Sequence, residues 1–182
     1  AASTGESPAL APVLAIDADS RRLPPAEAAA RHVALLQARH RPGQRLIKKI
    51  DSPLRGQPAA ELAATCRALR QAGRPALAIL APAFPATGRT TEGGSVRVNG
   101  GALEQTPLWA RDHSYETAHL PSILEAEGLR VRALDLATLR GGQQALAATL
   151  RQAVEAGLDA VVCDAAVAED LDVLARASLA VS

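Results

Sequence analysis

One run gathers more chemistry than any other part of the sequence: Lys48-Lys49-Ile50-Asp51-Ser52-Pro53-Leu54-Arg55-Gly56. Lys49 and Asp51 are two positions apart, so on an extended segment they point the same way. Ser52 adds a hydroxyl. Arg55 brings a planar fork that matches a carboxylate or a phosphate. Gly56 lets the backbone come close to a ligand. A helix predicted to start near Pro58 would aim its first N–H groups at an anion. These groups describe a pocket for a small polyhydroxy anion. A solvated turn whose charges pair with one another fits the same residues equally well. Lys48 and Lys49 are the only lysines, in a chain whose other cations are arginines. That choice matters where a compact ammonium and a guanidinium differ.

A second run, Ala81-Pro82-Ala83-Phe84-Pro85-Ala86-Thr87-Gly88-Arg89-Thr90-Thr91, offers donors on Arg89, Thr90 and Thr91 and a sharp turn at Gly88. It also fits an ordinary ordered loop with Phe84 packed on the core. Asp17, Asp19 and Asp164 end predicted strands. They suit a hydroxyl or Mg²⁺, or the commoner role of a turn aspartate. His113 and His119 have no metal-ligand spacing and read as surface or hydrogen-bonded histidines. The sequence contains no GxxxxGK[ST] phosphate loop, no GxGxxG after a strand and no GxSxG elbow. No nucleotide-binding motif is recognisable.

Several elements must position these runs. Apolar runs predict strands at Val13–Ile16, Arg45–Ile50, Ala76–Ala81, Val131–Leu136 and Ala160–Cys163. Helix patterns predict Leu23–Arg39, Pro58–Ala72, Ile123–Glu127, Gln143–Ala156 and Glu169–Ala177. Pro82 to Leu120 is rich in Gly, Pro and Thr, and its length predicts a functional loop or a hairpin near Val96–Val98. Strands apolar on both faces, alternating with helices, predict an α/β fold. Its sheet is mostly parallel and Rossmann-like, with helices on both faces and an insertion after the third strand. Ligands in such folds sit beyond the carboxyl ends of the strands, where both runs lie.

Composition narrows the function. The chain has 182 residues, 48% apolar and 21% charged, with a net charge of +1. That is enough for one domain with a substantial core, and it gives no broad pull toward nucleic acid or membrane. One Phe, one Trp and one Tyr leave little for base stacking. No apolar run approaches the ~18 residues of a membrane span. Cys66 and Cys163 read as buried free thiols, which suits a reducing cytoplasm. The chain has no methionine, so its first residue is not expected to be the translated start.

The two runs together resemble the N-terminal domain of the four-carbon acid sugar kinase family. That family carries Lys-Ile-Asp-Ser-Thr-Leu-Arg-Gly-Asn, then Ala-Pro-Ala-Phe-Pro-x-x-Gly-Arg-Thr-Thr. This sequence has Lys49 through Gln57, then Ala81 through Thr91. Agreement extends to Ala15-Ile16-Asp17-Ala18-Asp19-Ser20-Arg21, Val98-Asn99-Gly100, Leu103-Glu104-Gln105-Thr106 and Val162-Cys163-Asp164-Ala165. Pro53 and Gln57 depart from the family pattern, as do Gly101 and Ala102.

The resemblance implies phosphorylation of a sugar acid of the threonate or erythronate type. It implies that Arg55 holds the carboxylate, with Lys49, Ser52 and Gly56 beside it. Asp51 would orient or deprotonate the reacting hydroxyl, and Gly88 and Arg89 would border the same cleft. ATP and Mg²⁺ would bind mainly through a C-terminal glycine-rich nucleotide-binding domain of the same protein. The family's opening Asp-Asp-x-Thr-Gly motif and that C-terminal domain have no counterpart in residues 1–182, so the chain is expected to be a fragment, inactive alone. A non-catalytic sugar-acid-binding module and an inactive remnant are the alternatives.

Overall fold

The computed structural model describes residues 13–112 and 114–181; His113 lies outside them. A parallel sheet stands at the centre, with strands β1 (Ala78–Leu80), β6 (Ala160–Cys163) and β5 (Val131–Leu134) in that order. Its register places Leu80 opposite Val162 and Ile79 opposite Val161. Successive side chains leave opposite faces of a strand, so these rows feed two cores. Leu80, Val162 and Ala160 pack with Leu54, Ala59, Ala63 and Cys66 on one face. Val161, Cys163 and Leu134 pack with Leu139, Leu146, Leu150 and Leu174 on the other. β6 is buried along its whole length.

Helix α2 (Pro58–Gln71) and the short α4 (Leu120–Ala126) serve the first face. Helices α5 (Leu136–Arg140), α6 (Gln143–Glu155) and α7 (Ala168–Leu179) serve the second. Helix α1 (Pro25–Arg39) lies along α2. Both α1 and α2 open with proline at the first turn, where the missing N–H costs nothing. The sequence therefore gives the α/β class, the parallel sheet and the helices on both faces.

The insertion after β1 is a second, antiparallel sheet of β2 (Arg89–Glu92), β3 (Ser95–Val98) and β4 (Gly101–Ala102). Gly93 and Gly94 join β2 to β3 with φ of 57° and 74°. Two consecutive left-handed residues are what a tight hairpin with the right strand twist requires. Thr91 ties this sheet to the end of β6 by exchanging both backbone bonds with Ala165. The chain continues through α3 (Pro107–Asp112), a helix within the long segment expected as a loop or hairpin. Helix α5 was also missed: Asp135 ends the predicted strand early by capping that helix through the Thr138 N–H at 2.8 Å.

Two predicted strands are absent. Residues 13–16 and 45–50 carry strand-like apolar runs but belong to neither sheet. A strand exists by virtue of a ladder partner, and among the described residues β1 pairs only with β6. Val13, Leu14, Ile16, Leu46 and Ile47 are consequently exposed, Ile47 to 90%. Both segments line one broad cleft.

Candidate functional site: a basic cleft beside helix α2

The cleft has a volume of about 1400 Å³ and is walled by residues 13–22, by α1, by residues 43–51 and by the start of α2. Its chemistry is concentrated where residues 48–58 enter α2. There the chain turns sharply, with Leu54 N–H donating to Asp51 O at 2.9 Å. Leu54 takes φ 60° although its side chain is buried in the core. A non-glycine residue in that region is strained by about 1–2 kcal/mol, and burial of the leucine offsets it. Gly56 follows at φ 82°.

This turn sets a carboxylate against a guanidinium. Arg55 donates through Nε to Asp51 Oδ2 at 2.7 Å and through Nη2 to Asp51 Oδ1 at 3.2 Å. The Arg55 backbone N–H reaches the same carboxylate at 3.3 Å. Arg21 Nη2 lies 3.8 Å from Asp51 Oδ1. Burial alone would raise the Asp51 pKa; the bonds and charge of Arg55, with Arg21 behind them, bring it below its ordinary value. The self-paired turn weighed from the sequence is thus partly realised. One carboxylate nevertheless faces two guanidiniums, and the cleft keeps a positive balance.

Gly56 has a different partner from the one expected. A Cβ at this position would sit 3.3 Å from Arg21 Cα and 3.4 Å from its carbonyl oxygen. The glycine lets the Arg21 backbone, rather than a ligand, come close. Arg21 enters the site through that contact.

A second cluster lies deeper. Glu61 on α2 is 5% exposed. It accepts from Ser20 Oγ at 2.6 Å and from Lys48 Nζ at 2.5 Å. His32 Nε2 lies 3.4 Å from Glu61 and 3.1 Å from Ser20 Oγ. Burial would raise the Glu61 pKa, yet the bonds from Lys48 and Ser20 hold it below the ordinary range. Burial, then the charge of Lys48, lower that of His32 against the pull of Glu61. The imidazole is therefore neutral near pH 7, and the ion pair is Lys48–Glu61.

The expected site residues fall into three groups. Lys49, Asp51, Arg55 and Gly56 line the cleft. Lys49 is exposed, with Nζ 3.2 Å from the Ile50 carbonyl. Ser52 sits in the same turn but does not line it. Gly88 and Arg89 stand apart, outside the lining residues. Gly88, at φ 68°, ends a 3-10 turn at Pro85–Thr87 and leaves room for Asn99, whose N–H donates to Gly88 O at 2.7 Å. Arg89 Nη1 turns back to Thr87 Oγ1 at 3.3 Å. Phe84 is 52% exposed instead of packed on the core.

The start of α2 is also less open than expected. Pro58 has no N–H, and the Ala59 N–H donates to the Tyr115 hydroxyl at 3.1 Å. The aspartates act mainly as turn anchors. Asp17 accepts from the Asp19 N–H at 2.9 Å, and Asp164 accepts from Gly93 and Gly94 at 2.7 and 2.9 Å. His119 caps α4 and bonds Ser122 Oγ at 2.8 Å. Among the described residues no three His, Cys, Asp or Glu side chains converge as a metal site, and no helix is long and apolar enough to cross a membrane.

Arg21, Lys48 and Glu61 were missed or undervalued. Arg21 lies far from the run in sequence. Lys48 competes with its neighbour for attention. Glu61 carried one faint signal, an acidic residue placed where α2 turns its apolar face inward.

Fold and site together define an α/β domain with a basic cleft beside helix α2. The chain belongs to the sugar-binding N-terminal domain family, whose pattern matches residues 2–182. It is 47% identical over 181 residues to a D-threonate kinase of Cupriavidus necator, covering 98% of this chain and 41% of that protein. It is 36% identical over 169 residues to a D-erythronate kinase of Heliobacterium modesticaldum, covering 90% and 37%. The chain thus spans about two fifths of the length of these relatives. A solved domain of unknown function from Bordetella bronchiseptica, a domain-swapped dimer with bound citrate, superposes with a TM-score of 0.69 at 33% identity over 87% of this chain and 38% of that one. A Salmonella typhimurium structure described as a putative tRNA synthase, covering 89% of this chain and 43% of that one, superposes at 0.73 with 23% identity and shares the fold.

Proposed function

We propose that this chain is the sugar-acid-binding part of an ATP-dependent four-carbon acid sugar kinase of the threonate or erythronate type. The observation that carries this reading is the Asp51–Arg55 pair at the cleft, with Arg21 and Lys49 beside it, in a chain of the sugar-binding family. Asp51 fixes the plane of the Arg55 guanidinium, and a fixed fork receives a planar carboxylate with little loss of freedom. Arg21 and Lys49 add positive charge. A carboxylate held below its ordinary pKa is a poor proton acceptor, so Asp51 serves to orient Arg55 and a substrate hydroxyl. ATP and Mg²⁺ belong to a nucleotide-binding domain of the intact protein.

The test is calorimetric titration of the chain with D-threonate, D-erythronate and a neutral four-carbon polyol. The acids should bind and the polyol should not. Arg55→Ala should weaken binding by about tenfold or more, since a charge-assisted bond contributes about 1.5–3 kcal/mol. Equal binding of the polyol, or an unchanged Arg55→Ala variant, sinks the reading. ADP release by a full-length protein carrying this segment separates a kinase from a non-catalytic binding module.

A further inference from the structure

We propose that Glu61 is a positioning residue whose buried carboxylate sets the distance between Arg21 and the Asp51–Arg55 pair. Arg21 and Asp51 sit on separate segments, residues 17–24 and 45–51, and neither segment belongs to a sheet. Among the described residues no backbone ladder locks their relative position. Both are drawn instead onto one side chain of α2. Ser20, which immediately precedes Arg21, donates to Glu61 Oε1 at 2.6 Å. Lys48, three residues before Asp51, donates to Glu61 Oε2 at 2.5 Å. The two oxygens of one carboxylate thus each hold one wall of the cleft.

The energetics favour a geometric role. Burying an ammonium and a carboxylate together is seldom a net gain in stability, because desolvation cancels much of the attraction. An apolar pair of similar volume would serve a core equally well. What an apolar pair cannot do is fix two irregular segments by directional bonds. The two consecutive lysines are resolved by the same contact. Lys48 is turned inward to Glu61, while Lys49 remains exposed at the cleft.

This inference rests on the reading of the cleft as an acid site, and its test separates the two. The variants are Glu61→Gln and the double variant Glu61→Gln with Lys48→Met, both in the full 182-residue chain. Glu61→Gln should weaken D-threonate binding about tenfold and lower the Tm, because Lys48 is left unpaired. The double variant should recover most of the Tm and none of the affinity. Affinity that returns with the Tm would overturn the inference. Should the parent chain bind no acid, the acid-site reading fails by itself. The Nε–H signals of Arg21 and Arg55, assigned by NMR with Arg→Lys variants, then decide. Glu61→Gln should shift or broaden both without ligand, and unchanged signals would overturn the positioning role.

Discussion

Gly56 packs against Arg21: a Cβ on residue 56 would lie 3.3 Å from the Arg21 Cα. The glycine also holds φ 82°, where an alanine is strained. Gly56→Ala should therefore destabilise the chain by more than about 1 kcal/mol, read by urea denaturation. It should also push Arg21 away from Asp51, so D-threonate affinity should fall by more than the stability loss explains. A stable Gly56→Ala variant with parental affinity would contradict the packing described.

His32 gives the fold a pH dependence near neutrality. Its folded pKa lies below the ordinary 6.5, first through burial and then through Lys48. The unfolded chain takes up a proton around 6.5 while the folded chain resists it. Stability from this group is full above about 6.5 and declines as pH falls toward the lower folded value. The Tm should drop between about pH 7.5 and 5.5. His32→Gln should flatten that slope. A parental slope in the variant would assign the titration elsewhere.

Asp170 acts at lower pH. Its carboxylate accepts two bonds from Arg140, at 2.8 and 2.9 Å, and two from the Ala166 and Val167 N–H groups. Chiefly through the Arg140 bonds, the pKa is drawn down from 3.8 to about 2. This contribution is present above 3.8 and lost as pH falls toward about 2. Asp170→Asn should cost about 2 kcal/mol at neutral pH, with the start of α7 losing amide protection from exchange. Unchanged protection there would argue against the capping role.

The two thiols should be inert while the chain is folded. Cys66 and Cys163 are both buried. Burial raises the thiol pKa of Cys66, and burial then Asp164 push that of Cys163 up to about 12. Thiolates are the reactive form. Labelling with a thiol reagent at about pH 8 should follow global unfolding and accelerate with denaturant. Fast labelling in native buffer would place either thiol nearer the surface.

Much of this was legible because it is local. The run from Lys49 to Gly56 carried its cleft residues within eight positions of one another, and β6 declared itself by an unbroken apolar stretch. The hairpin expected near Val96–Val98 is present and turns at Gly93 and Gly94. What escaped detection depends on distance in sequence. Arg21 and Glu61 reach the site through contacts that no spacing rule encodes. The apolar runs at residues 13–16 and 45–50 read as strands because strand propensity describes a residue, whereas a strand is a property of a pair. Gly88 and Arg89 looked like neighbours of Arg55 because both runs follow predicted strands. They are not among the residues lining the cleft: Gly88 accepts from the Asn99 N–H across the hairpin, and Arg89 turns back to Thr87 within its own run.

The unpaired segments also bear on the heat of unfolding. Apolar surface already in water contributes nothing further when the chain melts. Val13, Leu14, Leu46 and Ile47 are all close to or above half exposure. An ordinary chain of this length would show a heat-capacity increment of about 2.2–2.7 kcal/mol/K. This one should fall below that range. Its stability curve should then be broad and shallow, changing little with temperature over the range where sharper folds lose ground.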